Sequence, residues 1–249
     1  MKKLNYYKRR LFQKIVSPLA EIRLSFIKSQ SSYKKGSANW LAATEKKYGG
    51  FHNDISVNKI SSKDNRKKDE IKFQKMTGGD KMFHMGYSRY YEKFLESFLK
   101  KNSSELNIAE FGILKGTGLA LLSDLFPKSN LYGFDIDLSN FIKNKNKLID
   151  LGAFIYSSPK IFECDQYKIN EQFIAKILGD KKLDIVIDDG LHQIETIKNT
   201  AMAIKPFMKK NSVIFVEDNS FVTPILQGIF EDSIVHDCGA LKVVCINSL

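Results

Sequence analysis

Between Asn107 and Ile246 short apolar runs alternate with amphipathic stretches, and this alternation is what most limits the folds open to the chain. Runs of four to six residues rich in Ile, Val and Phe read as strands, and the longer stretches between them carry apolar residues at helical spacing. The pattern predicts a helix over Tyr87–Lys101, a strand over Asn107–Phe111, a helix over Thr117–Phe126, a strand over Asn130–Phe134 and a helix over Leu138–Leu151. A strand at Lys160–Glu163, a helix over Asn170–Leu178, an apolar strand Leu183–Ile187, a helix over Ile194–Met208 and a strand Ser212–Val216 follow. A helical stretch around Pro224–Phe230 then leads to strands Ser233–Asp237 and Leu241–Ile246, with no helix between them. Strands that alternate with helices pair in parallel, so the expected architecture is α/β: a Rossmann-like, doubly wound, mostly parallel seven-stranded sheet. The last two strands should close it as an antiparallel hairpin.

Composition narrows the classes of function. A chain of 249 residues can bury roughly 70 to 75% of its unfolded surface and needs no staples. No stretch approaches the roughly 18 uninterrupted apolar residues of a membrane-spanning helix. The net charge of +11 is unevenly spread. Residues 1–75 hold 19 Lys and Arg against 6 Asp and Glu, whereas the rest holds 20 against 22. The remainder is therefore not a uniformly basic polyanion-binding surface, and nucleic acid is not the expected partner. Cys164, Cys238 and Cys245 form no CxxC pair, which suits a reducing cytoplasm. The basic N-terminus is not followed by an apolar core segment, so no secretory signal is expected.

Residues 1–77 read as a basic, mainly helical extension, and 78–249 as the α/β domain. Leu4, Tyr7, Leu11 and Ile15 recur at helical spacing among Lys and Arg until Pro18. Such a helix can dock on its own domain or on a second subunit in a homo-oligomer. It can also contact an anionic membrane surface through residues 1–28. Ser37–Tyr48 predicts a further helix closed by Gly49-Gly50, and Asn53–Glu70 is polar and aperiodic, as in a linker.

The first strand runs through Glu110, Gly112, Gly116 and Gly118 straight into a helix. Glycines at such a turn let backbone approach a ligand closely, and the helix start offers unpaired N–H groups. The spacing departs from the Gly-x-Gly-x-x-Gly of dinucleotide-binding proteins. Asp135, at the end of the second strand, lies where a carboxylate can accept both hydroxyls of a ribose. Cys164-Asp165-Gln166 closes the third strand where an adenine edge would lie. Asp137, two residues past Asp135, is expected to cap the next helix.

The fourth strand ends in Asp188-Asp189-Gly190-Leu191-His192 and the fifth in Val216-Glu217-Asp218-Asn219. Neighbouring strands lie about 4.8 Å apart, which would bring four carboxylates and an imidazole to one sheet edge. Carboxylates so crowded must take up protons or share a cation, and oxygen ligands without cysteine suit a hard ion such as Mg²⁺.

Together these motifs resemble class I S-adenosylmethionine-dependent methyltransferases, and within them the metal-dependent sugar O-methyltransferases of macrolide biosynthesis. The Asp-Asp-Gly-x-His after the fourth strand and the Glu-Asp after the fifth carry the closer resemblance, together with the segment from Gly79-Asp80-Lys81 to Tyr91-Glu92. The resemblance covers about residues 78–249. It implies that Glu110, Gly112, Gly116, Gly118, Asp135, Asp165, Gln166, Asp188 and Tyr87 hold the cofactor, with His84 a further candidate in the pocket. It also implies that Asp189, Glu217 and Asp218 ligate Mg²⁺, and that His192 is the general base beside Asp189. The basic N-terminal part is unlike a macrolide enzyme's, which points to a small sugar or a nucleotide-activated sugar for surface polysaccharide or glycoside synthesis. Two other readings stay open: an RNA or protein methyltransferase that grips its substrate through residues 1–75, and a non-catalytic nucleotide-binding or membrane-surface module.

Overall fold

A computed structural model describes residues 22–49, 79–100 and 105–247. The expected helix within residues 1–28 lies almost wholly outside these, as does the polar stretch Asn53–Glu70. In chain order the described elements are helix α1 (Ala38–Tyr48), α2 (Ser88–Lys100), strand β1 (Asn107–Phe111), α3 (Thr117–Leu125), β2 (Asn130–Asp135), α4 (Ser139–Asp150) and β3 (Lys160–Glu163). Then come α5 (Glu171–Leu178), β4 (Leu183–Asp188), α6 (Ile194–Ile204), β5 (Met208–Val216), α7 (Thr223–Ile229), β6 (Ile234–Cys238) and β7 (Leu241–Cys245).

The strands form one seven-stranded sheet in the order β3-β2-β1-β4-β5-β7-β6. β1 to β5 are parallel neighbours, and β7 runs antiparallel to both β5 and β6. The doubly wound sheet with its closing hairpin is thus as the pattern predicts. Order reverses between β1 and β4, which is where the crevice of an open α/β sheet lies.

Side chains alternate across the sheet, and the two faces make two apolar clusters. Ile108, Ile185, Ile187, Val213 and Phe215 face α1 to α4. Ala109, Phe111, Val186, Ile214 and Val216 face α5 to α7. Helix α1 starts at Ser37, whose hydroxyl accepts from the Trp40 N–H, and ends at Gly49 in the left-handed region, as its sequence predicts. Its Trp40, Leu41 and Tyr48 join the first cluster, so this stretch of the basic third shares its core with the sheet. No described helix is long and apolar enough to cross a membrane.

Glu45 of α1 is buried and accepts hydrogen bonds from the Met82 and Phe83 N–H groups at 2.9 and 3.1 Å, which anchors the segment leading into α2. Burial pushes its carboxyl up from 4.5 to about 7, against the two N–H donors that favour the charged form. The folded chain then holds a proton that the unfolded chain has released, so stability should fall as pH rises from about 4.5 to about 7. A Glu45→Gln variant should flatten the Tm–pH curve over that interval. An unchanged slope would contradict this assignment.

Candidate functional site

The turn after β1 and the start of α3 are built around close approaches at glycine. Gly112 has φ +85°, and a Cβ on it would overlap the backbone carbonyl of Asp189. A Cβ on Gly118 would overlap the carboxylate of Glu110. Gly116 caps α3 in the left-handed region. The turn is tied to β2 by Gly112 N–H donating to the Phe134 carbonyl at 2.7 Å, and by Leu114 N–H donating to Asp135 Oδ2 at 2.8 Å. Asp135 Oδ1 accepts from the Asp137 N–H at 3.0 Å, and each carboxylate oxygen keeps capacity for another donor. Burial pushes the Asp135 carboxyl up, and these backbone donors oppose the shift. Asp137 accepts from the Ser139 N–H at 2.9 Å at the entrance to α4, the capping contact read from sequence. Gly112→Ala should displace the Asp189 carbonyl and cost about 3 kcal/mol in backbone strain and overlap, read as a Tm lower by roughly 10 °C.

Strand parity decides which acids meet. Asp188 is in register with Phe111 and Val216 and so faces the second cluster. There its Oδ1 accepts from Gln166 Nε2 at 2.8 Å and from the Gly190 N–H at 3.3 Å, and burial raises its carboxyl to about 6. Glu110 lies between Ala109 and Phe111 and so faces the first cluster, as do Asp189 and Glu217, one step beyond Asp188 and Val216.

On that first face Lys81 reaches between the three acids. Its Nζ lies 2.9 Å from Glu110 Oε1, 3.0 Å from Asp189 Oδ2 and 3.6 Å from Glu217 Oε2. Desolvation alone would lower its pKa, but Asp189, Glu110 and Glu217 hold it well above the ordinary lysine value. Glu217 is buried, and burial pushes its carboxyl up while Lys81 opposes the shift. It also accepts from the Tyr91 hydroxyl, whose ring stacks on Phe215 with centroids 4.2 Å apart. Tyr87 donates to Asp218 Oδ1 at 2.6 Å. Among the described residues Glu110 Oε2 is buried with no hydrogen-bond partner, so the cradle beside the glycine turn presents an unmet acceptor.

At the mouth Asp189, His192 and Asp218 come together, each offering a ligand atom within 4.8 Å of the others. His192 Nε2 lies 3.8 Å from Asp189 Oδ1 and 4.0 Å from Asp218 Oδ2. Its Nδ1 lies 3.2 Å from the Glu217 carbonyl, so a proton on Nδ1 leaves the Nε2 lone pair facing the two carboxylates. His192 and Asp218 both have positive φ, at 60° and 55°. Asn219 Nδ2 holds the His192 carbonyl at 2.9 Å in this arrangement.

The ligand triplet expected from sequence is therefore divided: Asp189 and Asp218 are together, and Glu217 turns inward to Lys81 and Tyr91. His192 stands in the third place. Two carboxylates and an imidazole still fit a divalent cation, and the nitrogen donor admits Mn²⁺ as readily as Mg²⁺. Asp165 is half-exposed, accepts from the Tyr167 N–H at 3.0 Å and pairs with Lys168 at 3.1 Å. Gln166 is turned inward, donating to Asp188 and Thr200 and accepting from the Leu191 N–H at 2.9 Å. It braces the loop after β4. His84 lies edge-on to Phe83. Lys81, Tyr91 and Asn219 carry roles that sequence reasoning did not assign; the signal available was a lysine directly after Asp80 in the segment before α2.

No family model and no curated protein matches the chain. Similar solved structures are methyltransferases. The MycE methyltransferase of the mycinamycin biosynthetic pathway, described in complex with Mg, SAH and mycinamycin VI, is 16% identical with a TM-score of 0.49, over 65% of this chain and 48% of MycE. The similarity thus spans less than half of MycE. An rRNA methylase from Streptococcus thermophilus is 14% identical with a TM-score of 0.44, over 67% of this chain and 95% of that one. The O-methyltransferase TomG from Streptomyces achromogenes, involved in tomaymycin synthesis and in complex with SAM, is 14% identical with a TM-score of 0.43, over 62% and 79%.

Proposed function

We infer that this chain is an S-adenosylmethionine-dependent, cation-assisted O-methyltransferase that acts on a sugar hydroxyl. The observation that carries the reading is the His192 imidazole facing Asp189 and Asp218 at the same sheet edge as the glycine turn and Asp135. Glu110 with its unmet oxygen, the turn and Asp135 would hold the cofactor, while Asp189 and Asp218 would hold the cation, with the His192 imidazole beside it as proton acceptor. When bound, the cofactor supplies a methyl group on a good leaving group, and the cation lowers the pKa of the acceptor hydroxyl.

The chain's own residues orient the acceptor and move its proton. The glycine turn and Asp135 would hold the cofactor that would supply the methyl group, and Asp189 and Asp218 would help orient the acceptor oxygen toward it. The hydroxyl proton passes to an imidazole nitrogen, for which His192 Nε2 is placed. Tyr87 and Tyr91 stay protonated, because burial and the adjoining carboxylates raise both, and so they act as fixed donors to Asp218 and Glu217. The positive charge of residues 1–75 supports an acceptor that carries a diphosphate, as a nucleotide-sugar does. Methyl transfer to a panel of free and nucleotide-linked sugars, with cation and with chelator, tests this. Cation-dependent turnover with a lower KM for the nucleotide-linked acceptor is expected. Full turnover in chelator would remove the cation, and equal KM values would remove the diphosphate.

A further inference from the structure

Lys81 is a buried ammonium that precedes α2, and its three carboxylate partners come from three different strand ends. Glu110 ends β1 on the cofactor side, whereas Asp189 and Glu217 follow β4 and β5 on the acceptor side. A flexible lysine confined at 2.9 to 3.0 Å from two carboxylates is fixed by them in turn, since its own side chain is only 10% exposed. Each carboxylate oxygen it occupies is withdrawn from any other cation. Glu217 is withdrawn twice, by Lys81 on Oε2 and by the Tyr91 hydroxyl on Oε1. Asp189 is shared: Oδ2 faces Lys81 and Oδ1 faces His192.

We propose that Lys81 is a built-in counter-ion and positioning residue of this site: it keeps Glu110 and Glu217 from an exchangeable divalent cation and leaves Asp189 and Asp218, beside His192, to hold one. The inference rests on the reading above that a cation sits at the mouth, but its test needs no turnover. A fixed positive charge weakens the binding of a second cation nearby, so this arrangement sets cation affinity lower than the number of acids would give, and sets where the cation lies. Removing the ammonium has two effects of opposite sign. The site binds a divalent cation more tightly, because one positive charge is gone and Glu217 and Asp189 oxygens are released. Turnover falls, because the cation shifts toward Glu217 and away from His192.

The test is calorimetric titration of Mn²⁺ into the full-length chain, with Tm measured in chelator and in Mn²⁺, for wild type, Lys81→Arg and Lys81→Met. Lys81→Met should bind Mn²⁺ at least tenfold more tightly than wild type, lose Tm in chelator and regain it in Mn²⁺. Lys81→Arg, which keeps the charge, should stay within about threefold of wild type. A Lys81→Met chain that binds Mn²⁺ no more tightly than wild type, or whose Tm loss Mn²⁺ does not restore, overturns the proposal. Should Lys81→Met fail to fold, Lys81→Gln purified in Mn²⁺ gives the same comparison, because it also lacks the charge. S-adenosylhomocysteine titrated into wild type in the same buffers reports on methyl transfer separately; no binding would sink that reading and leave the Mn²⁺ comparison to judge Lys81.

Discussion

His192→Ala should lower kcat by more than a hundredfold while leaving the Kd of S-adenosylhomocysteine within about twofold of wild type. The size follows from general-base catalysis, which contributes typically 10²- to 10⁴-fold when a positioned group removes the proton in the transition state. The selectivity follows from placement. His192 lies at the mouth against Asp189 and Asp218, whereas the glycine turn and Asp135 are hydrogen-bonded to each other without it. The same variant separates two roles for the imidazole. A base alone loses kcat and keeps divalent-cation affinity, whereas a ligand loses both. Turnover above a tenth of wild type would remove the general-base role.

Asp135→Ala should weaken S-adenosylhomocysteine binding by at least about a hundredfold. Two charge-assisted hydrogen bonds to ribose hydroxyls, each worth roughly 1.5 to 3 kcal/mol, would be lost. The Leu114 N–H would also lose its acceptor, and Leu114 is already at φ 43°. Asp135→Asn separates the two causes. Its one amide oxygen can still accept from Leu114 and preserve the turn, so an Asn variant as weak as Ala would assign the loss to the ribose contacts. An Asp135→Ala chain that binds the cofactor product as tightly as wild type would contradict the placement of the ribose.

The sheet was legible because its signals are local. Apolar runs bounded by turn residues gave β1 and β3 to the residue, and the lack of a helix between the last two strands gave the hairpin. The boundary at Met208 was not legible. Helical spacing carries Ile194 on through Phe207 and Met208, but α6 stops at Ile204, a 3-10 turn holds Pro206, and β5 already begins at Met208. Lys209, Lys210 and Asn211 look like a loop because they are polar, yet they extend an edge of the strand where the register to β4 shifts.

The acids were legible as strand ends, but their directions were not. Two adjacent aspartates look alike in sequence; the pleat sends Asp188 to Gln166 and Asp189 to Lys81. Gln166 follows the expected adenine-side Asp165 in sequence, but its contacts to Asp188, Thr200 and the Leu191 N–H come from other strands and helices and are not written in its neighbours. Lys81 stands in the segment that carries the resemblance, but no spacing names its partners, which come from distant strand ends and meet only in the folded sheet.

The central claim is that the glycine turn and Asp135 bind an S-adenosyl ligand beside a cation site, and calorimetry of S-adenosylhomocysteine with wild-type chain tests it most directly. Micromolar binding is expected, retained in chelator, with a nucleotide-sugar signal that appears only when the divalent cation is present. No binding of S-adenosylhomocysteine with or without the cation would contradict the account.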